Sequence, residues 1–551
     1  MQRIFTRTLG LAVLAGGLAA SSSSCTGDLD QKPSYAATAD VVYRDPAQIQ
    51  QVLARLYATF AVSGQQGPAG QPDISGIDEG FSNYIRQYWQ LQEITTDEAI
   101  LGWNDGNLPN VNTLQWNADN EFVRATYDRV FYEIGLCNEF IRQTSDDNLT
   151  ARGITGTNAT TVRTYRSEAR LLRALSYWHA VDLFGGGPFA TEADAIATVP
   201  QYKNRADMFA FVEDELLKLE TQDVNAGKIL EPREVYGRAD KAMLWTLLTK
   251  LYLNASVYTG KSQTATTVRT DYAGKSYYDL AVIYANKVLG AGYTLTPTYG
   301  NLFLADNNSN GAQTEVIFPV TFDGTRTQTY GGITYLVHAP TGRAVSASYT
   351  GVDGGWSGLR TKPTLTTLFG STTQRNATDV RSQMFFFQGQ NSRVDTLGQF
   401  TSGPLIAKYR NITSKGSTGS NLTFPDTDFP MFRLADVKLM YAEAILRGGT
   451  GGTAGTPLSQ VNDVRRRAGA ADLPSVQLSD ILDERGRELF WEGHRRTDLV
   501  RFNKYGGTVN YPWAFKGGSA AGQDVPATRN IFPIPNTDRS SNPNLPQNPG
   551  Y

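Results

Sequence analysis

The sequence predicts a mainly α-helical protein, built of tetratricopeptide-type helix pairs, with an irregular, loop-rich part that holds a few short strands. Three observations carry this. Apolar residues recur at helical spacing through the first 300 residues and again after Phe432. Residues 241–258 (KAMLWTLLTKLYLNASVY) and 277–290 (YYDLAVIYANKVLG) read as a helix pair, with Ala281 and Ala285 small enough for neighbours to approach closely. Residues 324–430 are rich in Gly, Thr, Ser and Asn and contain few long periodic runs.

The elements follow in order. Ala47 to Ala61 is amphipathic, with Ile49, Val52, Leu53, Leu56 and Phe60 on one face and Pro46 at its start, where a missing N–H costs nothing. Helices are then predicted over 120–143, 163–184, 207–219, 239–258 and 277–289. Gly185-Gly186-Gly187-Pro188 stops the second of these and follows a helix rather than a strand, so it is no phosphate cradle. Glu315 to Phe322 reads as a strand, and its proline points to an edge. Helical spacing returns over 432–446, 457–468 and 478–490.

Composition excludes several function classes. The 551 residues carry 51 Lys+Arg against 53 Asp+Glu, so there is no basic excess to hold nucleic acid. Two cysteines make no disulfide framework. His179, His338 and His494 are far apart, and none has a metal-ligand neighbour at the right spacing. No metal or cofactor is predicted. His179, beside Tyr177 and Trp178, reads as a core histidine, and Cys137 as a buried small hydrophobe.

Residues 1–24 read as an export signal. Arg3 and Arg7 precede an apolar run from Leu9 to Ala20, which is shorter than the ~20 residues a spanning helix needs. A lone Cys25 follows four serines, the layout of a bacterial lipoprotein in which Cys25 carries the lipid, although Ser22 stands where a leucine is usual. Several acyl chains would anchor the protein stably.

Four segments are rich in information. The first is Cys25-Thr-Gly-Asp-Leu-Asp-Gln-Lys-Pro33. The second runs from Tyr165 through Arg166, Arg170 and Arg173 to Gly185 and Pro188. The third joins Phe432–Ala444 (FRLADVKLMYAEA) to Val461–Gly469 (VNDVRRRAG). The fourth is Asp483–Arg501 (DERGRELFWEGHRRTDLVR), followed by Ile531-Phe-Pro-Ile-Pro535 and the Asn/Pro-rich end. In this order they resemble the SusD/RagB family of outer-membrane lipoproteins over nearly the whole mature chain. The resemblance implies a signal peptide over 1–24, an N-terminal SusD-like helical region over 25–300 and a C-terminal region over 301–551. The latter divides into loop-rich 301–430, helical 431–505 and a tail, 506–551. It also implies an α/α superhelix of four tetratricopeptide-type pairs. The expected role is a cell-surface lid on a SusC-like TonB-dependent transporter, held to the outer membrane by lipid. Its cargo would be an oligo- or polysaccharide, alternatively a peptide, and it would not be an enzyme.

The charges of the fourth segment read as structure. Glu484 and Glu488 lie four apart on one helix face among arginines, which favour ionised carboxylates, so neither is predicted to hold a proton for acid–base work. A surface glycoside hydrolase would need two carboxylates converging across a cleft, and no such pair stands out. A purely adhesive protein would need no transporter.

Sugars present flat C–H faces and hydroxyl edges, so a glycan site needs aromatic faces and directional polar groups. Two loops supply them. One holds Asp78, Arg86, Trp103 and Asn104, with Trp103 among small polar residues rather than on an apolar face. The other runs from Tyr330 to Trp356 between glycines. Glycan-binding members of the family use loops in these two parts of the chain. Trp103, Trp356 and Tyr330 are the predicted platforms; Asp78, Arg86 and Asn104 are the predicted polar partners.

Overall fold

The computed structural model describes residues 39–68, 70–221, 230–261 and 272–551. The signal-like segment and Cys25 lie outside the described residues. Helix α1 (Pro46–Ala61) is capped by Asp45, whose carboxylate accepts from Ala47 N at 2.9 Å. A short helix, α2 (Tyr84–Trp89), runs on into a π-helical turn over Gln90–Ile94. Next come α3 (Glu121–Gln143), α4 (Gly156–Leu183), α5 (Arg205–Thr221), α6 (Lys241–Leu253) and α7 (Tyr277–Leu289). The loop-rich stretch holds α8 (Gly332–His338). The last group is α9 (Leu434–Leu446), α10 (Pro457–Arg467), α11 (Leu478–Leu489) and α12 (Arg495–Arg501).

The helices form one row. Helix α3 packs on α4, α4 on α5, α5 on α6, α6 on α7, α7 on α9 and α9 on α10. This is how stacked helix pairs bury apolar faces that no single pair could bury alone. The predicted pair α6/α7 lies in the middle of the row, and Ala281 and Ala285 are fully buried. One hydrophobic core cluster extends from Tyr43 to Leu545, so residues before and after 300 share an interior. No helix among the described residues is long and apolar enough to cross a membrane.

The strands, among the described residues, form two-stranded antiparallel ribbons. They are β1 (Ala99–Leu101), β2 (Gly187–Phe189), β3 (Gln201–Lys203), β4 (Val316–Val320), β5 (Leu359–Thr361), β6 (Phe385–Phe386), β7 (Leu405–Ile406) and β8 (Phe429–Arg433). Strand β4 fills the predicted strand, and its Pro319 faces Pro430 of β8 beside a register shift, where neither is asked for an N–H.

Some boundaries differ from the sequence reading by more than a residue or two, or in kind. Helix α4 begins at Gly156 rather than Arg163, because its threonine-rich first turns show no apolar stripe. The helix predicted over 239–258 breaks at Asn254, whose side chain bonds the Lys250 carbonyl at 2.8 Å. Phe432 and Arg433 belong to β8, and the helix starts after them.

The charge-dense fourth segment is interior. Glu484 accepts from Arg381 and Arg465 at 2.7 Å and from Arg487 at 2.9 Å. Glu488 accepts from Arg433 at 2.6 Å, from Arg381 at 2.9 Å and from Arg467. Glu492 accepts from Lys408 and Arg433, each at 2.6 Å. Burial alone would raise these carboxyls. The surrounding arginines outweigh it and hold Glu484 and Glu488 at about 2. Both stay ionised at neutral pH, as the sequence reading expected, and the cluster is a buried ion-pair network rather than a partner-facing surface.

Two lesser expectations also hold. Cys137 is fully buried, its thiol 3.2 Å from Glu133 Oε1. His179 is fully buried, 2.7 Å from the Tyr84 hydroxyl, and burial lowers its pKa to about 3.

Candidate functional site

A two-stranded ribbon brings the two predicted loops together. Strand β1 pairs with β5 so that Leu101 faces Leu359, and Gly102 N donates to Gly358 O at 3.0 Å. Trp103 lies two residues beyond one strand and Trp356 three residues before the other. Their rings meet at 6.2 Å between centroids. A Cβ at position 358 would fall 2.4 Å from the Trp103 indole, so only glycine lets that ring lie across the ribbon. Tyr330 comes from a separate turn and completes an arc, its ring 6.4 Å from Trp356. Trp103 and Trp356 are half-buried, and Tyr330 is 41% exposed.

Each ring is held from behind. Helix α8 presents Tyr335 and His338 three residues apart on one face. Tyr335 meets Trp103 edge-on at 5.9 Å, and His338 stacks on Trp356 at 4.9 Å. His338 is fixed by two carbonyls, Gly354 O at 2.7 Å from Nδ1 and Thr423 O at 2.9 Å from Nε2. Burial lowers its pKa, and a neutral ring can donate to only one of the two. Phe424 backs Tyr330 at 5.5 Å. The Tyr330 turn is clamped by buried Glu79, which accepts from Tyr330 N at 3.0 Å and Thr329 Oγ1 at 2.6 Å.

The polar candidates differ in accessibility. Asn104 is exposed beside Trp103, and its amide makes no hydrogen bond among the described residues. Asp78 is exposed, with Oδ1 accepting from Gly80 N at 2.9 Å and Oδ2 open among the described residues. Arg86 is only 4% exposed. Its guanidinium lies over Phe81 at 3.8 Å, Tyr335 at 4.4 Å and Trp103 at 5.7 Å, and donates to Tyr330 O at 3.4 Å. Burial lowers its pKa to about 10, so it remains charged. Arg86 is thus a hub beneath the rings more than an open hydrogen-bonding edge.

The root of the ribbon is anchored by the fourth sequence motif. Arg495 grips Asp97 with two bonds of 2.7 Å. The π-helical turn supplies Glu93, which accepts from Gly493 N at 2.6 Å and His494 N at 3.1 Å. Trp89 Nε1 donates to Trp491 O at 2.8 Å. Burial raises the Glu98 carboxyl just before β1, and that of Glu93 as well.

The three predicted rings therefore form one open aromatic arc with Arg86 beneath it, and exposed Asn104 adjoins Trp103 in the chain. A concavity of about 750 Å³ around Asn138, Arg142 and Pro200 shares no residue with it. Sequence reasoning missed the backing residues Tyr335, His338 and Phe424. The available signal was the three-residue spacing of Tyr335 and His338 within a stretch read as loop. Among the described residues no cluster of three or more His, Cys, Asp or Glu could hold a metal.

The model of the SusD family matches residues 370–551. The chain is 34% identical to the starch-binding protein SusD of Bacteroides thetaiotaomicron, over 100% of this chain and 99% of that protein. It is 25% identical to the SusD-like protein P2 of Formosa agariphila, over 81% of this chain and 84% of that one. Among solved structures it resembles a SusD superfamily protein from Parabacteroides distasonis, with a TM-score of 0.66 and 21% identity over 92% of this chain and 99% of the other. It also resembles surface glycan-binding protein A from Bacteroides thetaiotaomicron in complex with laminarihexaose, with a TM-score of 0.65 and 18% identity over 92% of this chain and 99% of that one.

Proposed function

The chain belongs to the SusD family, and from that premise we propose that it is a non-enzymatic, cell-surface glycan-binding protein whose cargo lies on the Trp103–Trp356–Tyr330 arc. The convergence of these three rings from two distant loops is the observation that carries the reading. An aromatic side chain buries about 150–250 Å² when covered. Covering half of one ring contributes about 2–3 kcal/mol at roughly 25 cal/mol/Å². Asn104 and Asp78 supply directional bonds to hydroxyl edges, and Arg86 holds the rings in register. Two or three such contacts, less the ordering costs, give micromolar to millimolar affinity. Weak capture suits a protein that hands its cargo on to a SusC-like TonB-dependent transporter. The same reading gives Cys25 the lipid anchor and places the protein on the outer membrane. The name of the 34% identical relative makes starch-type α-glucans the first ligands to try.

The test is calorimetry and affinity electrophoresis against a polysaccharide and peptide panel, with Trp103→Ala and Trp356→Ala alongside. Binding of one glycan class that either substitution abolishes, with the fold intact, supports the reading. Binding of peptides alone would move the cargo to another class, and glycan binding unchanged in both variants would remove the site.

A further inference from the structure

The loop that carries Trp356 has a second aromatic residue, Tyr349, on a different contact surface. Tyr349 packs edge-on against Phe386 at 5.1 Å. The Arg410 guanidinium covers Tyr349 at 4.7 Å, and Arg375 covers Phe386 at 4.6 Å. The result is a ladder of two rings between two cations. Tyr349 and Arg410 line a pocket of about 370 Å³, within the usual ~300–1,000 Å³ range of small-molecule sites. Arg467 forms another wall, and Pro297, Val380 and Met384 add apolar surface.

The lining of this pocket carries net positive charge. Its lining includes two arginines and no carboxylate. Arg467 is paired with Glu315 and Glu488, but its Nε is buried with no acceptor among the described residues. Arg410 is half-buried, and its guanidinium has no ion pair or hydrogen bond among the described residues. Arg393, by contrast, is well exposed and still pairs with Asp395 at 2.8 Å. A guanidinium offers a planar fork of donors that matches a carboxylate.

We propose that the Tyr349–Arg410 pocket is a second subsite, which takes the carboxylate of an acidic sugar unit such as a hexuronate. Arg410 pairs with the carboxylate while the Tyr349 edge and the Val380–Met384 wall cover the sugar ring. The sugar part of this assignment rests on the glycan reading above; the carboxylate part does not.

The test uses D-glucuronate, D-glucose and acetate as probes, read by ligand-observed NMR on the intact protein and on Arg410→Gln, Arg410→Lys and Trp356→Ala. The expected result is saturation transfer to glucuronate well above that to glucose. Arg410→Gln should weaken glucuronate by about tenfold or more. Arg410→Lys should retain part of the binding, and the Arg410-dependent share should survive Trp356→Ala, which removes only what the arc holds. Thermal melting of each variant confirms the fold. Equal binding of glucuronate and glucose, or a glucuronate signal that survives Arg410→Gln in a folded protein, overturns the proposal. Acetate separates the two layers. Acetate bound in an Arg410-dependent way without glucuronate overturns the sugar subsite and leaves an anion site only. Arg410-dependent glucuronate binding in a protein that binds no polysaccharide at Trp103 and Trp356 sustains the pocket and removes the platform reading instead.

Discussion

The buried charge network and the aromatic arc are built on opposite principles. In the network, Glu484, Glu488 and Glu492 are fully buried, and each is met by at least two basic side chains. In the arc, apolar faces remain half-open and the edge amide of Asn104 has no partner among the described residues. The first arrangement has spent its interactions internally, so it can only hold structure. On the proposed reading, the second holds interactions in reserve for a ligand. The two are mechanically joined, because Arg495 and the 491–494 turn of the charged motif fix Asp97 and Glu93 at the root of the Trp103 ribbon.

The largest expected effect tests the network side. Arg433→Ala removes partners of Glu315, Glu488 and Glu492 at once. Breaking such a buried cluster costs about 3–5 kcal/mol, which urea unfolding would record. Trp356→Ala tests the other side. It should cost glycan binding about 2 kcal/mol or more, roughly 30-fold, while urea stability falls less than in Arg433→Ala. If the two variants proved interchangeable in both assays, the division between a structural and a binding region would be lost.

Acid and base should also separate the regions. Glu484 and Glu488 have carboxyls depressed to about 2 from an ordinary 4.5. In that window the unfolded chain binds more protons, so their stabilisation is complete above 4.5 and is lost as pH falls through 2. Glu98, beneath the ribbon, is raised by burial. There the folded chain binds more protons, so its contribution is present below 4.5 and is lost as pH rises above it. Glu98→Gln should therefore flatten the decline in stability above pH 5 and leave the acid limb unchanged, as read by unfolding midpoints across pH.

Smaller effects sharpen the account of the arc. Gly358→Ala places a methyl against the Trp103 indole and should weaken glycan binding several-fold with a minor loss of stability. Asn104→Ala should cost about 1 kcal/mol of binding and nothing measurable in unfolding, the value of one net hydrogen bond.

Much of this was legible in the sequence, for reasons that differ between regions. Helices α1, α3, α6 and α7 show their apolar faces as periodicity, and α1 announces its start through Pro46. Trp103, Trp356 and Tyr330 stood out because large rings among small polar residues have no core to fill. The support beneath them was not legible. Helix α8 is seven residues long, too short for periodicity to show, and the β1–β5 pairing joins residues some 260 positions apart. Arg86 read as a polar ligand group because nothing local reveals that Phe81, Tyr335 and Trp103 close over it. The charged motif could be judged structural from its arginines, but its burial follows only from contacts with Arg381, Lys408 and Arg433 in the loop-rich stretch and on β8.

The most direct test of the central claim is a crystal structure of the protein soaked with a maltooligosaccharide, or with whichever glycan binds best. The account predicts sugar rings lying against Trp103, Trp356 and Tyr330, with hydroxyls within hydrogen-bond reach of Asn104 and Asp78. A well-ordered oligosaccharide bound elsewhere, with all three rings bare, would contradict it.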